Sequence, residues 1–293
     1  MAEQVIIAGD GLSATINALG AELTSLKDAA GRELMTDADP AFWTGHAPLL
    51  FPVVGKPTGE TIRVDGRAYA MKQHGFARRT MFAVTEQAAD RATFVLTDSA
   101  ETRAVYPFAF RLAVTFGIAG ATLSVDVSIE NPGDVPLPAS FGFHPAFAWP
   151  LPGGRAKEAH RIIFSADEPA ALRQIDADGQ IAPAPRASPL DGRTLALRDD
   201  LFAHDALIWD RLHSDRLTYR GDGGARLEIA FPDTPMLGIW TKPGAHFICI
   251  EPWHGIADPA GFTGDFRAKP GVFEVEPGAA KRIAMRVTLL AES

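Results

Sequence analysis

A long stretch of strict alternation between apolar and polar residues is the feature that most restricts the fold of this chain. From Leu123 to Ile129 every second residue is apolar, and the residues between them are serine or aspartate. A period of two places successive side chains on opposite faces of a β-strand, so the segment predicts a strand with one wet face. The apolar segment 110–118 precedes it across Gly117 to Gly120. The two segments together predict a long β-hairpin.

Short segments of the same kind recur from end to end, separated by Gly, Asp and Pro. Asp65-Gly66 lies between two of them and is a strong signal for a two-residue hairpin turn. Helical character is limited to one or two turns over 99–105. We therefore predict an all-β fold, a large antiparallel β-sandwich with very little helix, formed as a single domain over residues 1–293. Other predicted strands are 5–7, 12–16, 21–26, 33–35, 61–64, 68–71, 81–85, 92–97, 160–164, 206–209, 216–219, 225–231, 237–241, 272–275 and 282–290.

The charge balance restricts the possible partners. The chain has 28 basic and 36 acidic residues, a net charge of −8, and it contains no basic run. This disfavours nucleic acid and anionic membranes as partners. No segment is as long as a membrane span, and the N-terminus lacks the pattern of a secretion signal, so we predict a cytoplasmic location. The single cysteine, Cys249, excludes an intramolecular disulfide.

The segment 246–258 carries the first candidate for chemistry. Its apolar run, 247–250, predicts a strand covered on both faces, and Glu251 and Pro252 follow directly. Because proline cannot donate to a sheet ladder, we expect strand pairing to stop at Glu251. A carboxylate buried there beside Trp253 would need a partner or a raised pKa, as a general base has. An exposed glutamate at an ordinary strand end fits the same pattern.

Other polar residues have both a functional and a structural interpretation. His144 lies in the most aromatic part of the chain, which predicts burial and a lowered pKa, either in a site or as a core histidine bonded to a carbonyl. Aromatic faces beside polar groups also suit the apolar C–H faces of sugar rings. His74 precedes Gly75 and fits an exposed loop equally well, and Asp205 fits a turn before a strand. Three further candidates, each with a simple surface or packing explanation, are Arg78, Lys56 and Trp43.

The sequence gives little support for a metal or a cofactor. His74, His144 and Glu251 would form a two-histidine, one-carboxylate set, yet the tight spacings that mark a local metal site are missing. There is also no G-x-S-x-G elbow, no P-loop and no G-x-G-x-x-G. We predict a site without metal or cofactor.

Short motifs in a fixed order carry a family resemblance through nearly the whole chain. They are Phe-Trp at 42–43, Ala-Pro-Leu-Leu-Phe-Pro-Val-Val-Gly at 47–55, Gln-His-Gly-Phe-Ala-Arg at 73–78, Tyr-Pro-Phe-Ala-Phe at 106–110, Glu-Asn at 130–131, Phe-Gly-Phe-His-Pro-Ala-Phe at 141–147, His-Asp-Ala-Leu-Ile at 204–208 and Ile-Glu-Pro-Trp at 250–253. In this order they resemble the aldose 1-epimerase (galactose mutarotase-like) family, in the branch related to LacX-type proteins.

The resemblance implies a β-supersandwich that interconverts α and β sugar anomers without a cofactor. By position, Glu251 resembles the base and His144 the acid, so we expect Glu251 to be ionised and His144 able to donate near neutral pH. His74 and Asp205 match residues that bind and orient the sugar. The other expected substrate-binding residues are Arg78, Lys56 and Trp253.

Two features depart from the family pattern. Lys56 stands where arginine is expected, and an ammonium group cannot reproduce a planar bidentate fork. The segment 151–198 matches nothing in the family, and it is expected to contribute loops that shape the pocket.

Several functions fit these residues. A small-molecule sugar, a free hexose or a relative of one, is the leading substrate. A hexose-phosphate epimerase would need convergent basic residues such as Lys56, Arg78 and Arg79, against which the net negative charge argues mildly. A non-catalytic sugar-binding or sensing protein is the alternative from another class. A lyase or hydrolase would prefer two flanking carboxylates, for which Asp205 and Glu251 are candidates but the two histidines are not.

Overall fold

The computed structural model describes residues 3–291, and within that range it consists mainly of antiparallel β-strands. The strands fall into a nine-stranded sheet, a six-stranded sheet and three smaller sheets. The predicted all-β fold is confirmed. The strands are β1 (Gln4–Ala8), β2 (Leu12–Asn17), β3 (Glu22–Asp28), β4 (Leu49–Leu50), β5 (Thr61–Val64), β6 (Arg67–Ala70), β7 (Ala83–Gln87), β8 (Arg91–Thr97), β9 (Arg111–Ala119), β10 (Thr122–Glu130), β11 (Leu137–Ala139), β12 (Phe141–Phe143), β13 (Ala146–Ala148), β14 (Arg161–Phe164), β15 (Thr194–Ala196), β16 (Leu207–Trp209), β17 (Arg216–Arg220), β18 (Arg226–Ala230), β19 (Met236–Trp240), β20 (Phe247–His254), β21 (Phe273–Val275) and β22 (Ala280–Leu290).

The predicted long hairpin is β9 and β10, and it lies inside the nine-stranded sheet, whose order is β15-β14-β17-β18-β22-β10-β9-β8-β7. Strand β10 pairs along its whole length with β9 on one side and β22 on the other. Its residues Leu123, Val125, Val127 and Ile129 are buried, while those between them are partly or fully exposed. The alternation in the sequence therefore marks the face of the sheet that packs on the core.

The six-stranded sheet has the order β16-β19-β20-β12-β4, with β13 also pairing with β20. Alternate residues of its strands belong to different apolar clusters. Ile248 and Ile250 of β20 join the main core, together with residues of the nine-stranded sheet, whereas Cys249 and Trp253 belong to smaller clusters on the opposite face. Both faces of β20 are thus covered, as the apolar run predicted. Glu251 lies on the face turned away from the main core.

The helices and the remaining sheets are short. Helix α1 (Ala100–Val105) begins at Ser99, whose side chain accepts from the Thr102 N–H while the Thr102 side chain reaches back to the Ser99 N–H. Five 3₁₀ turns occur in the described range. The predicted Asp65-Gly66 hairpin is also confirmed: both residues have positive φ, 50° and 77°, between β5 and β6. The 3₁₀ turns are Thr58–Glu60, Ala77–Arg79, Lys157–Ala159, Asp199–Phe202 and Phe266–Ala268, and the small sheets are β1-β2-β3, β11-β21 and β5-β6.

The prediction that strand pairing stops at Glu251 is wrong, because β20 continues to His254 and Pro252 pairs with Leu237 of β19. The Ile250 N–H donates to the Pro145 carbonyl on the other side of the strand. Two residues further on, the nitrogen of Pro252 faces that same side, where pairing with β12 resumes only at Trp253. The missing N–H therefore leaves the pairing with β19 intact.

Part of the unmatched segment 151–198 forms a hairpin, 172–186, which we call the rim hairpin. Leu172 and Arg186 exchange backbone hydrogen bonds at its base. Backbone bonds also attach it to the rest of the protein, from the Arg173 N–H to the Ile208 carbonyl and from the Ile181 N–H to the Asp258 carbonyl. These backbone bonds are independent of side-chain identity.

No helix in the described part of the chain is long and apolar enough to cross a membrane.

Candidate functional site

His144 and Glu251 meet where the ladder along β20 is interrupted. Gly142 of β12 lies opposite Trp253, and Ala146 of β13 lies opposite Cys249. These two pairs share one register, and that register places His144 opposite Glu251. Residues directly opposite on antiparallel strands have neighbouring side chains on the same face. The His144 Nε2 atom accordingly lies 3.1 Å from the Glu251 Oε2 atom.

Both members of this pair are buried, with 8% of His144 and 2% of Glu251 exposed. Burial raises the pKa of Glu251 well above its ordinary value, and the Asp205 carboxylate raises it further. Burial lowers the pKa of His144 to about 3. Both shifts favour the uncharged form of the side chain concerned. The lowered pKa of His144 agrees with the burial predicted from its aromatic neighbours, whereas the raised pKa of Glu251 runs against the expected ionised glutamate, because desolvation disfavours a buried charge.

His74 enters the site on a strained loop. Its φ is 64°, and Gly75 after it has φ 70° and lies where a Cβ atom would be 2.1 Å from the Phe51 carbonyl oxygen. The Gly55 N–H donates to His74 Nδ1 at 3.2 Å, which assigns the proton of the neutral ring to Nε2. Burial first, and then the charges of His144 and Arg78, lower the pKa of His74 well below its usual value. Nε2 of the neutral ring then carries the proton and faces the Gln73 side-chain amide at 3.3 Å, whose oxygen is the acceptor when the amide is turned toward the ring.

Trp253 forms a flat part of the site because glycines lie on the two strands beside it. A Cβ atom at Gly142 would be 2.6 Å from the indole Cδ1, and one at Gly238 would be 2.3 Å from Cη2. Real Cβ atoms do not approach so closely, so side chains at these positions would displace the indole. A donor contact from the Trp253 indole to Glu251 lowers the pKa of that carboxyl, an effect that burial outweighs. The two glycines fix the position of an aromatic ring next to Glu251.

Two further tryptophans stand beside His144. The Trp43 ring is 5.0 Å from the imidazole centroid at 33°, and the Trp240 ring is 6.0 Å away at 76°. Trp43 and Trp240 also pack edge to face on each other, at 5.7 Å and 89°. Trp43 had a packing explanation in the sequence, and Trp240 was missed. The signal for Trp240 was its spacing of two from Gly238 on a strand, which places both on the same face.

One cleft of about 340 Å³ contains all seven residues that the sequence singled out for catalysis or sugar binding. This volume is in the range of small-molecule sites. The rim hairpin adds two lining residues, Ile175 and Gly179, so the unmatched segment does shape the pocket. The seven predicted residues are Lys56, His74, Arg78, His144, Asp205, Glu251 and Trp253.

The metal set considered from the sequence is not the one that the geometry favours. The ligand atoms of His144, Cys249 and Glu251 lie within 4.8 Å of one another, in a group without His74. A metal needs the thiolate form of cysteine. Burial and the Glu251 charge raise the pKa of the Cys249 thiol well above its ordinary value, so this set is chemically poor for a cation.

Comparisons with known proteins agree with one another. The family model described as aldose 1-epimerase matches residues 3–261. The chromosomal protein LacX of Lactococcus lactis subsp. lactis is 31% identical over 289 residues, covering 95% of this chain and 97% of that one. A galactose mutarotase related enzyme from Lactobacillus acidophilus has a TM-score of 0.90 at 31% identity, and the match covers 99% of this chain and 98% of that one. A galactose mutarotase-like protein from Lactobacillus casei ATCC 334 has a TM-score of 0.92 at 30% identity, and the match covers 98% of this chain and 100% of that one.

Proposed function

This chain belongs to the aldose 1-epimerase family, and from that premise we propose that it is a mutarotase, which interconverts the α and β anomers of an aldose by acid–base ring opening and closure. The observation that carries the proposal is the 3.1 Å contact between His144 Nε2 and Glu251 Oε2 inside a cleft of sugar size. A proton acceptor and a proton donor at that separation can both reach one pyranose, whose O1 and O5 atoms are bonded to the same carbon.

The reaction requires one group that accepts a proton and one group that supplies a proton. Ring opening removes a proton from O1 and adds one to O5, so the enzyme must accept one proton and supply one. If His144 and Glu251 together hold one proton, they can do both without a net change in the number of protons on the pair. This holds whichever of the two atoms carries the proton before the sugar binds. We assign Glu251 as the base for O1 and His144 as the acid for O5. Rotation about C1–C2 then presents the other face of the carbonyl, and the two groups exchange roles on closure.

The remaining residues of the cleft are assigned to sugar binding. His74 offers an Nε2–H donor, and the Arg78 guanidinium contributes donors near Glu251, on whose pKa it acts. Asp205 offers a carboxylate acceptor at φ 70°, a backbone conformation that is uncommon outside glycine. The indole of Trp253 suits an apolar C–H face of the ring.

Measuring anomer exchange tests the proposal. Polarimetry or exchange NMR on freshly dissolved α-anomers of several aldoses should show equilibration faster than the buffer rate, with no bond cleavage and no loss of sugar. Binding without faster exchange would instead establish a sugar-binding protein. Release of a cleaved product would establish a lyase or hydrolase. Either result overturns the proposed function.

A further inference from the structure

The cleft has a local charge opposite to that of the whole chain. Its lining includes the cations Lys56, Arg78 and Arg79 and the two carboxylic acids Asp205 and Glu251. It is therefore positive by one charge when Glu251 is ionised and by two when Glu251 is protonated, on a chain whose net charge is −8. A confined surface of one sign raises the local concentration of ligands of the other sign. The mild argument from net charge against an anionic substrate does not hold at the cleft.

Two of these cations form no close ion pair among the described residues, and Glu22 and Glu251 act on the Arg78 charge only from farther away. Among residues 3–291, no carboxylate lies within 4 Å of the Lys56 ammonium or the Arg78 guanidinium, and neither donates a hydrogen bond to a protein acceptor. Lys269, a buried lysine of the same region, provides the contrast: its ammonium lies 3.0 Å from Asp258 and donates to the Val54 carbonyl at 3.1 Å. A cation withdrawn from bulk water is stabilised by an anion or by acceptors. Lys56 and Arg78 are partly buried in the cleft wall, where an anionic group of a ligand could supply such a partner.

Lys56 is also held in place. A Cβ atom at Gly179, at the tip of the rim hairpin, would lie 3.0 Å from Lys56 Cδ and 3.9 Å from Nζ, so the glycine backbone packs against the lysine stem. The next residue, Gln180, donates to the Thr58 hydroxyl at 2.9 Å and accepts from the Gly261 N–H at 3.3 Å. The hairpin tip is thereby fixed against the segment that carries Lys56, and the ammonium group is directed by packing.

We propose that the preferred aldose carries an anionic substituent, a phosphate ester or a carboxylate, which Lys56 receives with Arg78 and Arg79 while the anomeric carbon lies at His144 and Glu251. The position of the anomeric carbon rests on the proposed function, whereas the preference for an anion rests on the cations alone. Guanidinium and ammonium groups are the usual partners of phosphate and carboxylate oxygens.

Titration calorimetry tests this independently of turnover. Glucose, glucose 6-phosphate, glucuronate and inorganic phosphate are titrated into the wild type, Lys56→Gln and Lys27→Gln. Lys27 is an exposed lysine of β3 outside the cleft lining, so it is a control matched in charge. One or both anionic sugars should bind at least 10-fold more tightly than glucose, and Lys56→Gln should weaken that binding roughly 10- to 100-fold. Lys27→Gln should leave it unchanged. The two sugars distinguish phosphate from carboxylate.

Salt dependence gives a second measurement on the wild type alone. Raising NaCl from about 0.05 to 0.5 M should weaken binding of the anionic sugar and leave glucose unaffected. Glucose binding as tightly as both anionic sugars, inorganic phosphate binding as tightly as the phosphosugar, or an equal loss for all ligands in Lys56→Gln overturns the inference. Tight binding of an anionic sugar without anomer exchange would support an anionic sugar as the ligand and would contradict the proposed function.

Discussion

His144 and Glu251 face each other across two adjacent strands at an interruption of their ladder, with 3.1 Å between Nε2 and Oε2. If they are the acid and the base, Glu251→Gln should lower kcat by about 10²- to 10⁴-fold, because an amide cannot accept the O1 proton. Stopped-flow polarimetry measures the rate. Exposed Glu158→Gln is the matched control and should match wild type. Near-wild-type exchange in Glu251→Gln would remove the assignment.

The same substitution should stabilise the protein at neutral and alkaline pH. Burial raises the folded-state pKa of Glu251 above its ordinary value of 4.5, so the folded state holds a proton that the unfolded state releases above that pH. Wild-type stability then falls as pH rises from 4.5 through the folded-state pKa. Glutamine has no such proton. Thermal unfolding of Glu251→Gln and wild type at pH 5 and pH 8 should give a Tm gain that is larger at pH 8, and an equal or smaller gain would contradict a buried, protonated carboxyl.

The pH profile of kcat/KM should lack an acidic limb near pH 6.5. Burial lowers the pKa of His144 to about 3 and raises that of Glu251 well above its ordinary value. The rate should therefore not fall as pH drops through 6.5, and it should fall as pH rises through the raised pKa of Glu251, above which the pair has lost the proton that it supplies to the sugar. Circular dichroism at each pH defines the range in which the fold is intact. A falling rate below pH 6.5 in folded protein would show that His144 titrates like an exposed imidazole.

Gly238→Ala should displace Trp253 from its place beside Glu251. The added Cβ atom would lie 2.3 Å from the indole Cη2, and overpacking of that kind costs about 1–3 kcal/mol of unfolding free energy. Under the proposed function the indole faces the sugar, so KM should rise together with the loss of stability. Gly117→Ala in β9 is the matched control, since its closest neighbour is the Ser124 hydroxyl at 3.1 Å. Equal unfolding free energies and equal KM values in the two variants would contradict the packing argument.

Lys269→Met should be strongly destabilising. Lys269 and Asp258 are buried, with side chains 0% and 5% exposed, and their charged atoms are 3.0 Å apart. Removing the ammonium leaves a buried carboxylate uncompensated, at a cost of about 3–5 kcal/mol. Urea unfolding measures the loss. The double variant Lys269→Met with Asp258→Leu should recover much of the stability, and no recovery would mean that the pair is not what the single variant disrupts.

Local patterns in the sequence predicted local structure well. The alternation from Leu123 to Ile129 and the Asp65-Gly66 turn each depend on a few neighbouring residues, and both were found as expected. The end of β20 was predicted wrongly because the cost of Pro252 depends on which side of the strand lacks a partner. That is decided by β12 and β13, more than 100 residues away.

The candidate site was predicted as a set of residues, and its arrangement was not. The seven singled-out residues lie in one cleft. The order of the motifs along the chain was sufficient to identify these residues. The register that places residues 144 and 251 face to face follows from strand pairing that no local pattern encodes, whereas the aromatic neighbours of His144 did predict its burial and lowered pKa. Trp240 was missed because the sequence of a mostly apolar strand does not indicate which of its two faces lines a cavity.

The rim hairpin is attached to its surroundings through main-chain hydrogen bonds at Arg173 and Ile181, while its tip contacts Lys56. A replacement tip that keeps these backbone bonds, the buried Leu172 and the Arg173–Asp210 ion pair should leave the positions of the acid and the base undisturbed. The hairpin is thus an exchangeable module: grafting tips from related proteins should change which sugars are selected and leave the chemical step intact.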